Sequence, residues 1–173
     1  MRRVLVRSLG VLLLAGALLA GGASTAAAPD PEQRIDTAEP WVWPVPHGIR
    51  VVAPWIAPPH AYGPGHRGLD VAAEVGSEAL APASGVVAFR GDVVDRPLLT
   101  IDHGGGLVST LEPVESDLSP GDAVARGQVV GRVAVGGHAA AGSLHLGVRL
   151  DGDYVNPMLL LGGVPRAVLL PCC

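Results

Sequence analysis

The feature that most constrains the fold is a succession of short apolar runs, each ended by glycine, proline or aspartate. They occupy residues 50–53, 68–72, 85–89, 98–102, 106–111, 129–135, 145–150 and 154–155. Runs of this length, rich in Val, Ile and Leu with turn signals between them, indicate an all-β protein, a compact antiparallel sandwich or barrel. Gly104-Gly105-Gly106 reads as a hairpin loop at positive φ, and Asp151-Gly152-Asp153 as a second hairpin turn. The segment Leu118 to Gly131 packs two tight turns around short strand pieces. The chain has no amphipathic helix of useful length. Pro157 to Leu161 reads as one terminal helical turn, capped by Asn156 and ended by Gly162-Gly163.

The beginning of the chain follows different rules. Arg2, Arg3 and Arg7 precede an apolar run from Leu9 to Ala20, and small residues follow to Ala28. This is the layout of a secretory signal peptide, here residues 1–27, with Thr25 and Ala27 as the small residues at the cut. The run falls short of the ~20 apolar residues of a membrane span, so no stable span is expected after signal removal. The alternative is an uncleaved N-terminal anchor. Residues 28–42 are polar and proline-containing and read as a linker, 43–162 as one domain, and 163–173 as a tail. Trp41 and Trp43, aromatics at alternate positions in a chain with few, are expected to pack on the domain edge.

Roughly 145 residues remain after the signal, enough for a single core. The net charge is −4, and no Lys/Arg cluster follows the signal, which excludes a nucleic-acid footprint. The expected location is therefore secreted or in the cell envelope. Cys172 and Cys173 are adjacent at the end of the chain, so the core has no disulfide and no thiolate metal ligand.

The chemistry resides in His66, Asp70 and His145. Side chains four apart on an extended strand face one side, so His66 and Asp70 reach one ion if the strand starts at or just after His66. Gly68 between them permits a close approach by another backbone or a ligand. A neighbouring strand would bring His145 alongside. Two imidazoles and a carboxylate hold a catalytic zinc with one position left open. Such a spacing alone says little, because most histidines are surface or hydrogen-bonded core residues.

The surroundings say more. Trp43-Pro44-Val45, then Gly65-His66-Arg67-Gly68-Leu69-Asp70-Val71-Ala72, then Ala81 to Val87, stand in one order with Ile101 to Leu107 and Pro120 to Gly131. Leu144-His145-Leu146-Gly147-Val148-Arg149 and Tyr154-Val155-Asn156-Pro157 complete it. From Trp43 to Leu161 this series resembles the lysostaphin-type (LytM) zinc metallopeptidases. The resemblance implies a compact antiparallel β fold with a groove, zinc held by His66, Asp70 and His145, and action on peptidoglycan or its peptide bridges.

Two further histidines of that family are missing. Pro113 stands where a Tyr-x-His-Leu segment would carry one, and Ser143 where a His-x-His pair would carry the other. Such histidines orient the attacking water or stabilise the oxyanion, and a positioned acid–base group is typically worth ~10²–10⁴ in rate. His138, on the loop leading to His145, is the expected substitute helper. Glu112 is a second, if strand alternation does not turn it away. His103 is expected to bond a turn carbonyl, His60 to stand in the loop before the motif, and Arg67 to take a surface or salt-bridge role. Two functions stay open: a zinc metalloendopeptidase, possible in a weakened form, and a non-catalytic zinc-holding module that binds the wall or regulates.

Overall fold

The computed structural model describes residues 39–60, 62–137 and 140–161. The signal peptide, most of the linker, the tail with Cys172 and Cys173, and His138 lie outside the described residues.

Eleven strands account for nearly all regular structure. They are β1 (Val51–Ala53), β2 (Gly68–Ala72), β3 (Glu78–Leu80), β4 (Gly85–Val93), β5 (Arg96–Gly104), β6 (Leu107–Glu112), β7 (Val114–Glu115), β8 (Ala123–Val124), β9 (Val129–Val133), β10 (Ser143–Leu150) and β11 (Asp153–Tyr154). The main sheet runs β1-β2-β10-β6-β5-β4-β8, with β11 beside β10, and a second sheet runs β3-β9-β7. All pairings are antiparallel. The all-β antiparallel expectation is met. Every apolar run named above contains a strand, β8 lies among the short strand pieces expected in Leu118 to Gly131, and the two strands not foreseen, β3 and β7, have three and two residues.

Period-two alternation divides the main sheet into two faces. Leu69 and Val71 of β2, Leu144, Leu146 and Val148 of β10, Leu111 of β6 and Leu99 and Ile101 of β5 are at most 1% exposed. They join Ala79, Val114, Val130 and Val133 of the second sheet in one core. The alternate residues of β2, β10 and β6 form the opposite, polar face.

The turns behave as their residues require. Gly104, Gly105 and Gly106 all have positive φ, and Asp151 and Gly152 take the left-handed conformation between β10 and β11. Asn156 accepts a hydrogen bond from the Met158 amide at the start of a 3₁₀ turn, Pro157–Leu159. Trp41 and Trp43 pack on the domain, as expected. Trp41 is 5% exposed within the core, and its amide donates to Leu160 O at 2.8 Å. An indole has too much apolar area to leave in water when the end of the domain offers it a seat.

Candidate metal centre

Register assembles the site. In the β2–β10 pair His145 stands opposite Asp70, and in the β10–β6 pair it stands opposite Glu112. Asp70, His145 and Glu112 therefore form one row across three strands, on the polar face. His66 precedes β2 and is fixed by a bridge to Ile56, with amide–carbonyl hydrogen bonds of 3.1 and 2.9 Å in the two directions.

One ligand atom from each of His66, Asp70 and His145 lies within 4.8 Å of the others. His145 Nδ1 is 2.6 Å from Asp70 Oδ1, and His66 Nε2 is 3.1 Å from the same oxygen and 3.2 Å from His145 Nδ1. His66 Nδ1 is 2.7 Å from Pro54 O, which can only accept, so this nitrogen carries the proton. Neutral His66 therefore directs the lone pair of Nε2 at a carboxylate oxygen and at a second imidazole nitrogen. Three electron-pair donors converge with at most one proton among them in the neutral state. That is the donor set a divalent cation satisfies, and zinc takes two imidazoles with a carboxylate. The Pro54 carbonyl does for His66 what outer partners do for metal-bound histidines, fixing tautomer and ring orientation.

Gly68 explains itself at this point. A β-carbon there would fall on Cε1 and Nε2 of His145 and 2.7 Å from Leu146 O. The close neighbour foreseen from sequence is the imidazole of the facing strand. Gly147 stands opposite Gly68, so the floor beside the three ligands carries no side chain.

The site opens into a groove of about 490 Å³. Its lining includes His66, His145, Thr100, Thr110, Glu112, Arg96, Arg67, Arg149 and Tyr154. Glu112 and Arg67 both stand in this lining. Strand alternation does not turn Glu112 away: it shares the face of His145, is 7% exposed, and lies 3.7 Å from Arg96 Nη1. Arg67 is not a purely outward residue. It lines the groove and donates to Gly63 O at 3.0 Å, because the chain enters β2 through a bridge rather than as a regular strand.

The missing histidines leave no hidden base at their own positions. Pro113 has no titratable group, and the Ser143 hydroxyl donates to Ala140 O at 2.6 Å. His103 bonds a turn carbonyl as expected: Nδ1–H donates to Ser84 O at 2.9 Å, leaving Nε2 to accept from the Ser109 hydroxyl at 2.8 Å. Burial lowers its pKa, against smaller opposing effects of the Ser84 carbonyl and the Asp102 charge. His60 is exposed and is not among the groove-lining residues. His138 lies outside the described residues, but the preceding Gly136 and Gly137 are placed. A β-carbon on Gly137 would meet Arg96 Cγ at 2.6 Å, so the loop leans on a groove-lining side chain.

The model of peptidase family M23 matches residues 64–157, over half of the chain and across all three clustered residues. The chain belongs to peptidase family M23. Uncharacterized protein Rv2891 of Mycobacterium tuberculosis is 36% identical over 170 residues, covering 95% of this chain and 64% of that protein. The chain thus spans less than two thirds of the length of this relative. Among solved structures, a zinc-containing peptidase from Vibrio cholerae superposes with a TM-score of 0.61 at 19% identity, over 69% of this chain and 40% of the other. Lysostaphin superposes with a TM-score of 0.55 at 20% identity, over 69% and 54%. These two likenesses establish a shared fold, the one the sequence resemblance implied. Among the described residues no helix is long and apolar enough to cross a membrane.

Proposed function

We propose that this M23 domain is a secreted zinc metalloendopeptidase-type domain acting on the peptides of peptidoglycan, with His66, Asp70 and His145 as the zinc ligands. The observation that carries the reading is the convergence of three electron-pair donors on one point at the floor of a groove. The fold shared with a zinc-containing peptidase from Vibrio cholerae supports the choice of metal. Zinc at such a site supplies a Lewis acid for a peptide carbonyl and lowers the pKa of a water to about 7.

The chain's own residues do the rest. Pro54 O holds His66 in the tautomer that leaves Nε2 open to the metal. The bare floor at Gly68 and Gly147 admits an extended backbone beside the ligands. Glu112, on the row of Asp70 and His145, takes the proton that the absent histidine at position 113 would have managed, and Arg96 beside it orients the carboxylate. His138, one residue beyond the glycine that leans on Arg96, is the second helper.

A second reading has its own observation. With Pro113 inert and the Ser143 hydroxyl committed to Ala140 O, the site can hold metal and bind the wall without turnover. Zinc-loaded protein incubated with purified peptidoglycan separates the two. Release of new amino termini, absent in Asp70→Ala, establishes the peptidase. Sedimentation with the wall and no release establishes the binding module. Failure of the mature protein to take up one equivalent of zinc at saturation overturns both.

A further inference from the structure

We infer that the groove carries a built anion subsite, Arg67–Tyr154–Arg149, that recognises a carboxylate of the bound peptide. The inference rests on the groove being a peptide site and adds what kind of peptide it prefers. The chain is acidic overall, at −4, yet this flank of the groove is basic. Arg149 Cζ lies 4.5 Å from the centre of the Tyr154 ring and Arg67 Cζ 5.9 Å from the same centre, so two guanidiniums flank one phenol. Arg149 Nη2 donates to the Tyr154 hydroxyl oxygen at 2.5 Å. That oxygen is engaged as an acceptor, which leaves the phenolic O–H to donate outward.

Among the described residues Arg149 has no carboxylate partner, whereas Arg96 across the groove has Glu112. The planar Arg149 guanidinium and a hydroxyl donor suit a planar carboxylate, which a guanidinium binds through two parallel N–H···O bonds, and Arg67, held by Gly63 O, adds positive charge beside them. Packing on Tyr154 holds the Arg149 plane in place, so little rotamer freedom is lost on binding.

Distance sets where the carboxylate falls along the ligand. Arg149 follows His145 by four residues on β10, about 13 Å at the rise of a strand. Between them lies Gly147, opposite Gly68 and Thr110, with no side chain in the way. An extended peptide covers that span in about four residues. The subsite therefore reads a carboxylate three or four residues from the bond presented to His66, Asp70 and His145. It belongs either to a free C-terminus or to an acidic side chain at that distance.

The test is a binding measurement on the full chain after signal removal, with and without zinc. N-acetylated tetra-alanine is titrated as the free acid and as the amide, together with an amidated peptide carrying one glutamate. We expect the free acid to bind about tenfold more tightly than the amide, the worth of a charge-assisted contact. Arg149→Gln should abolish that difference, and Tyr154→Phe should reduce it. Recovery of affinity by the glutamate peptide assigns the carboxylate to a side chain; its failure to recover assigns it to the C-terminus. Equal binding of acid and amide overturns the inference, as does an Arg149→Gln variant that weakens both alike. Absence of binding by every peptide overturns it too. Competition by inorganic phosphate as strong as that by the free acid reduces the cluster to a general anion site and overturns the carboxylate assignment. Since zinc uptake is measured separately, failure here leaves the metal reading standing, and zinc-free protein that still distinguishes acid from amide supports the subsite alone.

Discussion

Two histidine clusters lie on opposite faces of the same sheet, and they solve the same problem in opposite ways. On the core-facing side, His103 donates from Nδ1 to a carbonyl and accepts at Nε2 from the buried Ser109 hydroxyl, with Trp41 packed on the ring at 4.5 Å between centroids. Each nitrogen meets a partner of the opposite kind. On the groove side, His66 Nε2, His145 Nδ1 and Asp70 Oδ1 converge with at most one proton to share among them. The first cluster is complete as protein. The second leaves acceptors in excess, and on the proposed reading a cation completes it. Complementarity at the ring nitrogens is the difference between the two sites.

The largest test of this contrast removes the carboxylate. Asp70→Ala should lower zinc affinity by more than about 100-fold, beyond the 10–100-fold typical of losing an outer partner. The metal-free variant should still fold, because Asp70 lies on the polar face and Leu69 and Val71 keep the core side of β2. Competition with a chelating dye and a thermal melt monitored by circular dichroism check the two halves. Retention of one tight zinc would break the comparison by showing that the metal sits elsewhere.

Gly68→Ala comes next. The new β-carbon collides with the His145 ring and with Leu146 O, and the chain must shift to admit it. Overpacking of this kind costs about 1–3 kcal/mol. Zinc affinity should fall with stability, since the displaced group is a ligand. A variant that loses stability while binding zinc normally would show that His145 can move without leaving the site.

His103→Leu should do the reverse. It leaves the Ser109 hydroxyl without its acceptor in a fully buried position, at a cost of about 1–2 kcal/mol, while zinc stoichiometry stays at the wild-type value. Urea unfolding and metal analysis on one preparation decide it.

Much of this was legible before the structure. Alternation in Gly68-Leu69-Asp70-Val71 and Leu144-His145-Leu146-Gly147 fixes which residues face the groove, because a period of two admits no other assignment once the leucines are buried. The short strands β3 and β7 were not legible, since two or three residues carry no periodic signal and exist through pairing alone. Register was also beyond the sequence. The orientation of Glu112 depends on its standing opposite His145, and nothing in Leu111-Glu112-Pro113 states which residue it pairs with. The Arg149–Tyr154 contact likewise arises from the pairing of β10 with β11.

The smallest expected effect is one of pH, and it belongs to His103. Burial holds its folded-state pKa below the ordinary 6.5, so between the two values the unfolded chain binds a proton that the folded chain refuses. The stability contributed by the neutral ring is fully present above about pH 6.5 and is lost as pH falls through the folded-state value. The measurement is the difference between wild type and His103→Leu in zinc-free buffer, which isolates this ring. That difference should be greatest at pH 7.5 and should shrink toward pH 5, because only the wild type must protonate this ring. A gap that stays constant with pH would mean that the imidazole accepts its second proton inside the fold at no cost, with the Ser109 hydroxyl rotating from donor to acceptor. The core-side cluster would then be adaptable, and rigidity in its hydrogen bonding would no longer separate it from the metal side.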